Sequence, residues 1–308
     1  RIMNSEKYSR QIAFAPIGPE GQEKLRRARV VIVGCGALGT SQANALVRAG
    51  VGTLRIVDRD FVEESNLQRQ MLFDEADAAE ALPKAVAAER KLRQINSDVQ
   101  VEGLVADADR RSILSLVEGF DLILDGTDNF ETRYLLNDVA LKLGLPWIYG
   151  AVVSSYATTL TVLPGRTPCL ACVFPKPPQG MYDTCDTVGV IAPAVAWVSA
   201  IQVTEALKIL LGREQELHGS LLAYDVWANR SQQIRPKIGP QCRACGARDF
   251  VHLEGGASES PPLCGRDGAF AEAFSPASAS AARAKAIACC AWCAQSAAVA
   301  RTCRRCIS

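Results

Sequence analysis

Directly after Val33 the chain reads Gly34-Cys-Gly-Ala-Leu-Gly39, three glycines spaced G-x-G-x-x-G between an apolar run, 29–33, and a stretch of helix formers, 37–49. Glycines let the backbone close onto a phosphate, and the first amides of the helix supply N–H donors and the positive end of its dipole. Nineteen residues past Gly39, Asp58 ends a second apolar run, 54–57, where a carboxylate can accept hydrogen bonds from a ribose. These two features specify a nucleotide, and NAD or FAD would satisfy them as well as ATP.

The polar strings that follow narrow the choice. Asp58-Arg-Asp60 is succeeded by Ser65-Asn-Leu-Gln-Arg-Gln70, by Pro83-Lys84 and by Asp125-Gly-Thr-Asp-Asn129. Arg69 offers a planar fork of donors suited to phosphate. Asn66 and Gln68 are candidates to hold the nucleotide or a metal-bound water. Lys84, in the first turn of a helix, is a second cation for a triphosphate. Asp128 and Asn129 follow a buried strand at the edge where open α/β sheets bind ligands. A carboxylate there suits Mg²⁺, a hard cation that prefers oxygen. Each residue alone could be solvated surface. In this order they make a set that dehydrogenases lack.

Twelve cysteines and two histidines, His218 and His252, complete the inventory. Cys169/Cys172 and Cys242/Cys245 form two C-x-x-C pairs, and four thiolates suit a closed, tetrahedral, structural Zn²⁺ site. A dithiol redox pair or four unpaired thiols are the competing readings, the first weakened by the absence of a thioredoxin-like pattern. Cys35, inside the glycine loop, reads as a small packing residue. Cys185, between Thr184 and Asp186, reads as an exposed thiol. Five further cysteines crowd the last twenty residues, in an Ala-rich stretch of poor periodicity.

The elements that must position these residues alternate between strand and helix. Strands are expected at 29–33, 54–57, 121–124 and 146–153, and helices at 37–49, 83–95 and 130–143, which implies a parallel sheet covered on both faces. Beyond residue 150 the pattern changes to a strand at 158–163, a Pro/Gly/Cys-rich loop over 164–187, a helix at 193–211 and a hairpin-like segment at 220–234. The expectation is an α/β fold: a doubly wound, mostly parallel Rossmann-like sheet with a C-terminal antiparallel segment and a zinc site. Its nucleotide-binding half covers about 1–150, its carrier-binding and zinc half about 151–255, and 256–308 is a low-complexity tail.

Composition excludes several classes. A formal net charge of +1 with 22% charged residues gives no footprint for nucleic acid. No apolar run reaches the roughly 18 residues of a membrane span; the longest, 188–211, is broken by Pro193, Gln202, Glu205 and Lys208. Residues 1–8 carry no apolar core of a secretory signal, so a cytoplasmic protein is expected.

From Arg10-Gln-Ile through the glycine loop, Asn-Leu-Gln-Arg-Gln70, Thr127-Asp-Asn129, the C-x-x-C pairs and Thr184-Cys185, the chain resembles the ThiF/MoeB/HesA family, bacterial relatives of ubiquitin-activating enzymes. The resemblance covers about residues 5–255. It implies adenylation, with ATP and Mg²⁺, of the C-terminal glycine of a ubiquitin-like sulfur-carrier protein ending in Gly-Gly. It further implies that Gly34, Gly36 and Gly39 form the nucleotide loop, with Ala37 where a glycine is common. Asp58 holds the ribose with Asp60 as a further nucleotide-site residue, Asn66, Arg69 and Lys84 hold phosphates, and Asp128 the metal. By the same resemblance Arg10 enters the partner subunit's ATP site in a homodimer, and Cys185 serves sulfur chemistry, with a separate sulfurtransferase as a further partner. Two other readings of the chain are a non-catalytic subunit that binds a ubiquitin-like protein and an NAD-dependent oxidoreductase.

Overall fold

The computed structural model describes residues 6–177 and 185–255, with Cys185 and Asp186 as backbone only. The tail expected over 256–308, with its cysteines, lies outside the described residues.

One eight-stranded sheet runs through the chain: β1 (Arg29–Val33), β2 (Thr53–Val57), β3 (Gln100–Leu104), β4 (Leu122–Asp125), β5 (Trp147–Val153), β6 (Tyr156–Val162), β7 (Leu221–Asp225) and β8 (Arg230–Ile234), in the order β3-β2-β1-β4-β5-β6-β7-β8. The first five strands are parallel and the last three add on antiparallel. β3 was not legible as a strand. Its polar residues and partial exposure suit an edge position, and it shows no apolar alternation.

Both faces of the central strands are buried, which explains the continuous apolar runs. Side chains alternate between two cores: Val31, Val33, Ile123, Trp147 and Tyr149 face one, and Val30, Ile32, Leu122, Leu124 and Ile148 the other. The first core is covered by the helices Phe130–Leu143 and Ile113–Val117. The second is covered by Ala37–Ala49, Lys84–Ile95 and Ala192–Leu210. Gln42 and Gln202 lock two of these helices to the sheet: both donate to Asp125 O, and Gln42 Nε2 donates to Gln202 Oε1 at 2.7 Å.

Among the described residues no helix is long and apolar enough to cross a membrane. The long loop after β6 contains two short helices, Leu170–Val173 and Cys185–Val188.

Candidate nucleotide site and cysteine centre

Strand order reverses between β1 and β4, because β1 is flanked by β2 on one side and β4 on the other. Loops leaving such neighbours diverge to opposite faces, and a crevice opens at their carboxyl ends. Gly34 leaves β1 there and Gly126 leaves β4. Gly34 has φ +96, and a Cβ on it would lie 2.5 Å from Gly126 O. A Cβ on Gly39 would lie 1.9 Å from Gly34 O. Two of the three loop glycines are therefore required by backbone packed on backbone.

Gly36 differs. It is the N-cap of the helix Ala37–Ala49, at φ −83 and ψ −146, and makes no side-chain cap. A Cβ on it would meet only Gln70 Nε2, at 3.8 Å. The space over Gly36 is open, and the helix's first N–H groups, with no partner inside the helix, point toward it.

Asp58 ties the loop to β2. Its Oδ2 accepts from Cys35 N–H at 2.5 Å and its Oδ1 from Asp60 N–H at 2.7 Å. Burial pushes its carboxyl above the ordinary value, with Lys84 pulling the other way. Lys84 is buried at the start of Lys84–Ile95; its backbone N–H donates to Asp60 O and its Nζ lies 3.3 Å from the exposed Asp60 carboxylate. Cys35 is buried, and desolvation raises its thiol well above the usual range. It packs and does not ionise.

The string 64–70 forms a 3₁₀ turn followed by a further turn, and this rotation sorts its side chains. Asn66 and Gln70 point inward and are buried, while Gln68 is exposed. Asn66 Oδ1 and Gln70 Oε1 have no hydrogen-bond partner. Arg69 is half-buried and its Nη1 donates to Ser65 O at 2.8 Å. Gln68, a nucleotide candidate in the sequence, is on the exposed side of this turn, and Gln70, four residues past Asn66, shares the buried side with it.

At the end of β4, Asp125 is buried, accepts from Thr127 N and Oγ1 and from Gly150 N, and pairs with buried Arg133 at 3.3 Å. Desolvation raises its carboxyl, and Arg133 opposes the rise. This pair fixes the turn that leaves Asp128 exposed at the crevice. Asn129 caps the helix Phe130–Leu143 by accepting from Thr132 N–H at 2.8 Å. Arg10 is exposed on a short helix, Ser9–Ile12, outside this crevice.

The four cysteines meet on segments docked against the middle of Phe130–Leu143. Cys169 and Cys172 flank the turn Leu170–Val173, and Cys242 and Cys245 follow β8. Cys169 Sγ lies 3.8 Å from Cys172 and 3.6 Å from Cys242, and Cys172 lies 3.3 Å from Cys245. All four sulfurs lie within 4.8 Å of one another. Zn–S bonds of about 2.3 Å in a tetrahedron require sulfurs about 3.8 Å apart, so the set fits zinc. The hydrogen bond with Cys169 lowers Cys172 to about 4 and raises Cys169. Asn137 accepts from Leu170 N–H at 2.9 Å and Asp138 from His252 N–H at 2.9 Å, docking both halves of the centre on one helix. Cys185 starts the helix Cys185–Val188, and Ser154 N–H donates to Gly189 O at 2.9 Å, which ties this segment to the carboxyl end of β5.

A glycine loop at a switch point, two cations and an exposed carboxylate define an α/β nucleotide-binding protein. The chain belongs to the ThiF family, which it matches over residues 8–244. It is 51% identical over 264 residues to the sulfur carrier protein ThiS adenylyltransferase of Bacillus subtilis (strain 168), covering 85% of this chain and 78% of that one. It is 40% identical over 250 residues to the SAMP-activating enzyme E1 of Haloferax volcanii, covering 81% and 92%. Among solved structures, E. coli MccB with ATP shares the fold at a TM-score of 0.69, covering 79% of this chain and 75% of that one, at 24% identity.

Proposed function

We propose that this chain is an ATP-dependent adenylyltransferase that activates the C-terminal glycine carboxylate of a ubiquitin-like sulfur-carrier protein. The names of its relatives point to that substrate class. The observation that carries the reading is the unfilled Cβ position over Gly36, at the N-terminus of the helix after β1, in a loop whose Cys35 N–H is held by Asp58.

In this reading Asp58 accepts from the ribose hydroxyls, and the helix amides beyond Gly36 receive the α-phosphate. Arg69 and Lys84 neutralise the phosphates beyond, with Asp60 holding Lys84 in place until they arrive. Asn66 is buried near Arg69 in the chain, and its Oδ1 has no hydrogen-bond partner. Asp128 is the ligand for the Mg²⁺ that accompanies ATP. A carboxylate oxygen of the carrier attacks the α-phosphorus, the bond to the β-phosphate oxygen breaks, and pyrophosphate leaves with the electron pair. The carboxylate is already ionised, so no proton moves and no general base is needed. His218 packs against Glu205 and His252 against Tyr134, and neither belongs to the glycine-loop cluster. Positioning and charge neutralisation supply the rate.

The homodimer is part of this proposal. Tyr8 packs on Gly50, and Gln11 Nε2 donates to Ala49 O at 2.8 Å. Both contacts sit at the last residues of the helix whose first residue adjoins Gly36. Thirteen residues make that helix about 20 Å long. Arg10 is thereby anchored a helix length from its own loop, beyond one side chain's reach, and is free to enter a partner's site. The cysteine centre is a structural zinc site in this account. Sulfur reaches the adenylate from Cys185 or from a separate sulfurtransferase.

Labelled ATP tests the reaction. With a carrier ending in Gly-Gly, label from the α-phosphate must join the carrier and label from the γ-phosphate must leave as pyrophosphate. Transfer of the γ-label to the carrier would replace adenylation by phosphorylation.

A further inference from the structure

Gln70 is the best-placed polar group at the crevice to which the proposed mechanism gives no task. It is 4% exposed, it follows Asn66 by one turn, and its Oε1 has no hydrogen-bond partner. Its Nε2 is the atom a Cβ on Gly36 would meet, at 3.8 Å. The unpaired Oε1 is an acceptor and cannot meet a phosphate oxygen; the group that can donate to one is Nε2, the atom nearest a Cβ on Gly36. The amide stands beside the second loop glycine, where a Cβ would meet no other atom within 4 Å. Asp58, the ribose acceptor of the adenylation reading, is bonded to Cys35 N–H, which sets Gly36 one residue from the ribose position in that reading. Arg69 and Lys84 are the charged donors for the phosphates further out.

We infer that Gln70 contacts the reacting centre: its Nε2–H donates to a non-bridging oxygen of the α-phosphate while the carrier carboxylate attacks. The inference rests on the adenylation reading above. Carboxylate oxygen bonds to phosphorus as the bond to the pyrophosphate oxygen breaks, and negative charge gathers on the non-bridging oxygens between those events. A preorganised neutral donor aimed at that position favours the transition state over bound ATP. The cations already hold the triphosphate, so loss of Gln70 is felt in turnover and little in ATP affinity.

Pyrophosphate exchange by the full chain, with Mg²⁺ and a carrier ending in Gly-Gly, tests this with Gln70→Met and the isosteric Gln70→Glu. Removing one such donor costs roughly 100-fold in kcat. The expected result for Gln70→Met is that loss with KM for ATP within about threefold of wild type. Gln70→Glu, which sets a carboxylate against the phosphate, is expected to fall further. Melting temperatures report folding, and the isosteric variant decides the matter if Gln70→Met is destabilised. A kcat within threefold of wild type in a folded variant, or a loss confined to KM, overturns the inference and leaves adenylation standing. A wild type that exchanges nothing overturns both.

Discussion

Substituting alanine at two glycines of one loop separates a packing role from a ligand role. In Gly39→Ala the methyl would sit 1.9 Å from Gly34 O, about 1 Å inside the closest approach a Cβ makes. The obstacle is backbone held between β1 and β4, so it cannot rotate away. Overpacking of this kind costs about 3 kcal/mol. At about 2–4 °C per kcal/mol for a chain of this size, the melting temperature should drop by roughly 6–12 °C. In Gly36→Ala the methyl meets one side-chain nitrogen at 3.8 Å. The lost freedom of the unfolded chain contributes about 0.4–1 kcal/mol. The change is about 1 kcal/mol or less, so the melting temperature should stay within roughly 4 °C. Yet the methyl fills the space assigned to phosphate, and pyrophosphate exchange should fall by about 100-fold or more, some 2.7 kcal/mol. Calorimetry and exchange on the same preparations read both quantities. A Gly36→Ala protein that exchanges within threefold of wild type would show that phosphate does not ride over Gly36.

Three further outcomes are expected. Metal analysis of purified protein should find about one Zn²⁺ per chain, lost in Cys245→Ser; folded, active protein with none would exclude the zinc assignment. Mixing Arg10→Ala chains with Asp128→Ala chains should restore part of the exchange activity, since a mixed dimer keeps one intact site; no recovery from demonstrated mixed dimers would place Arg10 outside the partner's site. Cys185→Ser should leave exchange nearly unchanged and abolish any thiol-sensitive adduct with the carrier. A wild type without such an adduct, and a variant that still supports carrier thiolation, would make Cys185 a bystander.

Legibility in the sequence followed the range of the interaction. The glycine loop, Asp58 and the central strands are local patterns, and each survives in the fold at its expected place. The two C-x-x-C pairs were legible because their spacing leaves a signature, although the chain must bring sulfurs 73 residues apart to 3.6 Å. The Asp125–Arg133 pair and the Gln42–Gln202 bridge were not legible, since buried polar partners distant in sequence leave no periodic mark. Asn129 illustrates a different limit. A polar residue before a helix reads equally as ligand or cap, and its side chain caps. The exposed Gln68 and buried Gln70 are distinguished only by the handedness of a turn that composition does not reveal.

Carrier-dependent exchange of labelled pyrophosphate into ATP, measured for wild type, Arg69→Ala and Asp128→Ala, tests the central claim most directly. Wild type should exchange only when ATP, Mg²⁺ and a Gly-Gly-ended carrier are all present. Exchange should fall by roughly 100-fold or more in each variant, the cost of one lost charge contact in a preorganised site. Exchange unaltered in both variants, or a wild type that exchanges nothing and is stabilised by NAD in place of ATP, would contradict that claim.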